Sequence, residues 1–83
     1  MPRKNDPLKK VSQMLFDYFD GIDVPKMDDA LRAISRDPHF EIILLYYRDR
    51  EKRETIADLL NMDVKTVYRN KKRLCERLAR LTK

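Results

Sequence analysis

Basic side chains recur at helical spacing near the C-terminus of this 83-residue chain. Between Val64 and Lys83 there are eight Lys and Arg residues and one acid, Glu76. Lysine and arginine neutralise phosphates, and an arginine can donate two parallel hydrogen bonds to the edge of a guanine. The chemistry that this segment predicts is recognition of a polyanion, and of nucleic acid in particular.

The distribution of charge supports the same interpretation. The chain has a net charge of +5, but residues 1–47 hold seven basic and eight acidic residues, whereas residues 48–83 hold twelve and six. A basic protein without an anionic partner has no reason to concentrate its charge at one end. We therefore expect an anionic partner at the C-terminal end.

The free face of a helix over residues 64–81 supplies the candidate contacts. Lys65 and Arg69 are four positions apart, so they lie one above the other on that face. We expect Arg69 to read a guanine in the major groove. The polar side chains expected to hold the DNA backbone, which fixes register rather than sequence, are Thr66, Lys72, Arg73, Arg53 and Thr55.

Apolar residues of the same segment leave alternatives open. Tyr68 lies at the edge between the free face and the apolar stripe that faces the core, so its ring either contacts DNA or packs against the core. Val64 either closes the core, which we favour, or touches a thymine methyl group. Leu74, Leu78 and Leu81 either pack on the N-terminal helix or form the seam of a homodimer.

Composition favours helices throughout. The chain has one Gly, is rich in Leu, Lys, Arg and Glu, and has no strand-forming runs of Val, Ile and Thr. We predict an all-α fold, a small bundle of four or five helices with a C-terminal helix-turn-helix. We expect residues 1–83 to form a single domain. Residues 1–36 would supply its N-terminal helices, and residues 37–83 would form the core unit that contains the helix-turn-helix.

Start and stop signals place the first three helices. Asp6-Pro7 begins the first helix, and Gly21 ends it. A second helix is expected over about residues 26–35. Asp37-Pro38 begins a third helix, which is apolar nearly all round and ends in two tyrosines. Such a helix is expected at the centre of the core.

The last two helices, at about residues 53–60 and 64–81, form the helix-turn-helix pattern, which spans about 53–81. Ala57 is the small residue that two closely crossing helices need. Asn61 tolerates the positive φ of a tight turn. Asp63 is suited to cap the next helix. The second helix is thereby held with one face free.

Three stretches carry a resemblance to a known family: IILLYY at 42–47, TIADLL at 55–60 and KTVYRNKKRL at 65–74. They resemble region 4 of sigma-70-type factors and, more closely, phage late-gene regulators of the ArpU/RinA type. The resemblance covers about residues 34–81. It implies a regulator, encoded by a phage or mobile element, that binds a promoter-proximal DNA site.

The resemblance also implies a role for individual residues. The positions that would approach bases are Val64, Lys65, Tyr68 and Arg69. Those that would hold the backbone are Thr66, Lys72 and Arg73. The chain departs from the family pattern at Asn61, where a glycine is usual, and at Asn70 and Lys71, which are often apolar. The expected function is sequence-specific binding of double-stranded DNA in transcription regulation.

Other function classes find little support. The sequence has no phosphate-binding glycine loop, no metal-ligand cluster and no nucleophile near a histidine, so we predict no enzyme, no cofactor and no metal. No apolar run approaches the ~20 residues of a membrane span. The lone Cys75 and the absence of a signal peptide predict a cytoplasmic location. The resemblance implies that this is the cytoplasm of a bacterial host cell.

The main alternative is a protein-interaction module. In that case the basic helix would bind RNA polymerase or a sigma factor and the chain would not bind DNA. Exposed aromatics are too few for single-stranded RNA binding. The expected partners are double-stranded DNA, RNA polymerase and a second copy of the chain. Acids at 17, 20, 23, 28 and 29 are either solvated loop charges or a contact for polymerase.

Overall fold

The computed structural model describes residues 7–83, and every regular element within them is a helix. The elements are α1 (Pro7–Phe19), α2 (Met27–Ile34), α3 (Phe40–Ile43, continued by a π-helical turn over Leu44–Arg48), α4 (Arg53–Leu60) and α5 (Val64–Leu81). The predicted all-α bundle is confirmed, while the Asp6 cap lies outside the described residues. None of the five helices has the length and apolar character needed to cross a bilayer.

The end of α1 is fixed by Gly21, as the sequence predicts. Gly21 has a φ of +92°, a conformation that L side chains rarely adopt. The Ile22 N–H donates to the Asp17 carbonyl at 2.9 Å, and the Gly21 N–H donates to the Tyr18 carbonyl at 3.1 Å. These bonds satisfy carbonyls that the helix leaves without partners and turn the chain towards α2.

The start of α3 differs from the prediction. Asp37-Pro38 predicts a helix start, but the helix begins at Phe40. The Asp37 Oδ1 accepts the His39 N–H at 2.9 Å, and the Asp37 carbonyl accepts the Phe40 N–H at 3.0 Å. Asp37 therefore stabilises a turn ahead of the helix, because its short side chain bonds to backbone two residues on.

The second half of α3 is wound as a π-helix, which the sequence did not predict. The Asp49 N–H donates to the Leu44 carbonyl, five residues earlier, at 3.0 Å. Within this turn Tyr47 is fully buried, and Tyr46 is half-buried with its ring 4.8 Å from that of Tyr47. The expected burial in the core is thus confirmed for Tyr47, whereas Tyr46 is only half-buried.

The largest part of the core lies between α1 and α5. Leu74 and Leu78 of α5 are fully buried in one cluster with Val11 and Leu15 of α1. The leucine stripe therefore packs on the N-terminal helix, and Leu74 and Leu78 cannot form a dimer seam. Leu81, at the end of the stripe, is exposed.

A buried polar contact joins α1, α3 and α5 within this core. The Tyr47 hydroxyl lies 2.7 Å from the Ser12 hydroxyl oxygen and 3.3 Å from the Cys75 thiol. Burial raises the pKa of the Cys75 thiol, so the thiolate is disfavoured. Cys75 is a packing residue of the core.

Candidate nucleic-acid interface

The turn between α4 and α5 has the geometry that the sequence predicts. Asn61 takes the left-handed conformation, with φ 55° and ψ 53°. The Met62 N–H donates to the Ala57 carbonyl at 2.9 Å, which closes the end of α4. Asp63 is extended at the N-cap position of α5, but its side chain makes no capping hydrogen bond. Asn61 therefore sets the angle between the helices, and Asp63 contributes its backbone only.

A small apolar cluster holds α4 and α5 against α3. It consists of Ile42, Ile56, Ala57 and Val67, all buried. Because Val67 points into this cluster, the opposite side of the first turns of α5 faces outward. The predicted helix-turn-helix is thus present as packed structure, with the second helix free along one face.

Five of the nine predicted contact residues line a single shallow depression on that face: Arg53, Val64, Lys65, Tyr68 and Arg69. The Arg53 Cζ lies 5.7 Å from the centroid of the Tyr68 ring, so the first residue of α4 joins the surface of α5. Val64 is 40% exposed, which excludes the core alternative that we favoured for it. Tyr68 is 46% exposed and is available for contact.

The other predicted backbone contacts differ in their exposure. Lys72 is exposed one helical turn beyond the depression. Thr55 and Thr66 are half-buried. The Thr66 carbonyl accepts a hydrogen bond from the Asn70 side-chain amide at 2.9 Å, so the polar residue at position 70 bonds within its own helix.

Arg73 is engaged within the chain. It donates to both carboxylate oxygens of Asp37 at 2.8 and 3.0 Å, and to the Asn70 side-chain oxygen at 3.1 Å. The Arg73 hydrogen bond, followed by that of the His39 N–H, lowers the pKa of Asp37 from 3.8 to about 2. Arg73 thus fixes α5 to the turn before α3, a contact that the sequence did not reveal.

Lys71 also points inward. Its ammonium nitrogen lies 4.4 Å from the centroid of the Tyr46 ring and 5.7 Å from that of Tyr47. Burial lowers the pKa of this lysine. The Lys71 ammonium is thus accommodated next to the core by the faces of two aromatic rings.

Four cations at or beside the depression form no ion pair with an acidic side chain of the described residues. Within residues 7–83, no ion pair involves Arg53, Lys65, Arg69 or Lys72. Arg73 and Lys71, by contrast, are held by Asp37 and by the tyrosines. The positive charges of these four side chains are therefore available to an anionic partner.

A second arginine contact was missed by the sequence interpretation. Arg50 donates to both oxygens of Asp20 at 3.0 Å, and its guanidinium lies 4.4 Å from the centroid of the Phe16 ring. Asp28 accepts a hydrogen bond from the Tyr18 hydroxyl. Asp17 accepts a hydrogen bond from the Gln13 side-chain amide at 3.0 Å, so three of the five acids considered as a polymerase contact are engaged within the chain.

Comparison with known proteins gave no match: no family model, no curated protein and no solved structure matches this chain. The resemblance to sigma region 4 and to phage regulators stays a prediction from the three sequence stretches. Within residues 7–83, no group of His, Cys, Asp or Glu side chains is arranged to hold a metal ion.

Proposed function

We propose that this protein binds double-stranded DNA and regulates transcription, with the first half of α5 in the major groove. The observation that carries the proposal is the set of four cations without acidic partners, within residues 7–83, on the free face of a packed helix-turn-helix. A second helix held in this way presents its N-terminal residues to base edges. Motif resemblance extends the proposal to a regulator of a phage or mobile element.

The four cations divide by position. Lys65 and Arg69 lie within the depression, at the end of α5 that enters the groove, so we assign them to base edges. Arg53 lines the depression from α4 and Lys72 lies one helical turn beyond it, and we assign both to phosphates on either side of the groove. Thr55 and Thr66 add hydroxyl contacts to the backbone. Arg73 makes a smaller contribution than its position suggested, because Asp37 already occupies its guanidinium.

A single recognition helix reads few base pairs, and regulators commonly extend the site with a second copy or a protein partner. We propose a homodimer or assistance from RNA polymerase for this reason. Leu74 and Leu78 are excluded from the dimer contact because they are buried against α1. Light scattering of the protein with and without duplex, at low and high protein concentration, tests the dimer.

The salt dependence of affinity for a labelled random-sequence duplex, followed by fluorescence anisotropy, tests the proposal. The two cations assigned to phosphates, Arg53 and Lys72, predict a slope of about −1.8 in a plot of log K against log salt. Lys72→Ala should weaken binding and reduce the slope by about 0.9. Lys10→Ala, which removes an exposed lysine of α1, is the matched control and should leave the slope unchanged.

Three outcomes would contradict the proposal. Absence of duplex binding at low salt would favour the interaction module, in which the same cations meet an acidic surface of RNA polymerase. Stronger binding to a single strand than to the duplex would exclude major-groove reading. Equal effects of Lys72→Ala and Lys10→Ala would show that binding reports net charge rather than this face.

A further inference from the structure

Two apolar side chains remain uncovered at the start of α5, in the midst of the cations. Val64 is 40% exposed and Tyr68 is 46% exposed. They are four positions apart on a helix and therefore lie one turn apart on the same face. Both line the depression that also contains Arg53, Lys65 and Arg69. The surface is thus an apolar floor with a cationic rim.

This floor is unnecessary for the fold. The core under α4 and α5 is closed by Val67, which is fully buried, together with Ile42 and Ile56. Val64 and Tyr68 lie outside that cluster. Val64 and Tyr68 are therefore available to contact a ligand.

The rim limits what can cover the floor. Three cations at the rim require a partner whose surface carries negative charge around its apolar group. Here Lys65 lies beside Val64, and Arg53 and Arg69 complete the rim. Charges of one sign around a small apolar surface are complementary to a polyanion with a small apolar group of its own.

Duplex DNA has one such group on its base edges. The C5 methyl group of thymine is the apolar group that the major groove presents, and it lies beside hydrogen-bonding edges and within reach of phosphates. We propose that Val64 and Tyr68 form a contact site for a thymine methyl group, which makes a T·A pair a fixed element of the bound sequence. The inference rests on the proposed duplex binding and specifies what the first turn of α5 reads.

The neighbouring side chains are placed to support this contact. Arg53 lies over the Tyr68 ring and holds the start of α4 against it. Arg69 is five positions after Val64 and can donate to a guanine in an adjacent pair. We therefore expect the bound sequence to contain a T·A pair next to a G·C pair. Arg53 and Lys72 would hold the neighbouring phosphates.

The test uses duplexes enriched by the full chain from a random library. Each thymine of the enriched site is replaced, one at a time, by deoxyuridine, which removes the methyl group and retains the pairing. Replacement at one position should weaken binding about fourfold, the effect of exposing one buried methyl group. In Val64→Ala the ratio of thymine to uracil affinity at that position should fall towards one.

Leu59→Ala is the matched control, since Leu59 is 59% exposed on α4 and lies outside the depression. It should retain the wild-type ratio. If every uracil duplex binds like its thymine parent, or if no thymine is fixed in the enriched site, the inference is wrong while duplex binding stands. If methyl sensitivity persists in Val64→Ala and Tyr68→Ala alike, the contact lies elsewhere. A chain that binds no duplex overturns both proposals.

Discussion

The ion pair between Asp37 and Arg73 allows a test in which stability and DNA binding respond in opposite directions. Arg73 is a predicted phosphate contact, yet it donates two hydrogen bonds to a carboxylate that is only 10% exposed. Asp37→Asn removes the negative charge but keeps a side-chain oxygen for the His39 N–H. The substitution therefore separates the ion pair from the turn that precedes α3.

The size of the stability effect follows from the pKa of Asp37, which is lowered from 3.8 to about 2. A shift of that size corresponds to roughly 2.4 kcal/mol at full strength. Arg73 is 48% exposed, so solvent screening reduces the contribution to about 1 kcal/mol. In a domain of this size, about 1 kcal/mol lowers the melting temperature by roughly 4–8 °C.

The dependence on pH gives the sign of the effect. Because the pKa of Asp37 is lower in the folded state, the contribution is present above pH 3.8 and is lost as the pH falls from 3.8 towards 2. Thermal melts at pH 7 should show the loss in Asp37→Asn, and melts below pH 2 should show a much smaller difference. Asp23→Asn, which changes an exposed acid in the loop between α1 and α2, should have no such effect.

Duplex binding should respond in the other direction. Once Arg73 is released, it can reach a phosphate, so the salt slope should steepen by about 0.9 and affinity at low salt should rise. Asp23→Asn removes the same charge elsewhere and should leave the slope unchanged. Equal stability of Asp37→Asn and the wild type at pH 7 would refute the ion-pair argument. An unchanged slope would show that Arg73 does not face the DNA.

Two further substitutions test the turn and the inward lysine. Asn61→Ala should lower the free energy of unfolding by about 1 kcal/mol, because alanine is strained at a φ of 55°. Asn61→Gly should cause no such loss, because glycine adopts this conformation without strain. Equal urea midpoints for the two variants would contradict this reasoning. Lys71→Ala should cost about 0.5–1 kcal/mol of stability through the lost contact with Tyr46, with the duplex salt slope unchanged. A loss of slope in Lys71→Ala as large as that in Lys72→Ala would place its ammonium on the DNA.

Local signals were sufficient to predict much of the fold. The bounds of α4 and α5 agree with the helices expected at 53–60 and 64–81. Asn61 and Gly21 adopt the positive φ values expected of them. These features depend on side chains a few residues apart, which a single sequence displays directly.

Contacts between distant residues could not be predicted in the same way. Asp37 and Arg73 are 36 positions apart, and their pairing depends on how the turn before α3 packs on α5. The π-helical turn is likewise set by packing, since its sequence also suits an α-helix. For Val64, spacing alone favoured the core, whereas the angle set by Asn61 leaves it exposed.

The central claim is that duplex DNA binds the first half of α5 and the start of α4. Backbone amide chemical shifts of the labelled protein, followed during titration with a short duplex, test it most directly. The account predicts that the largest changes fall on residues 53–55 and 64–72 and diminish as salt is raised. Changes centred on the loop between α1 and α2, or no changes at low salt, would contradict it.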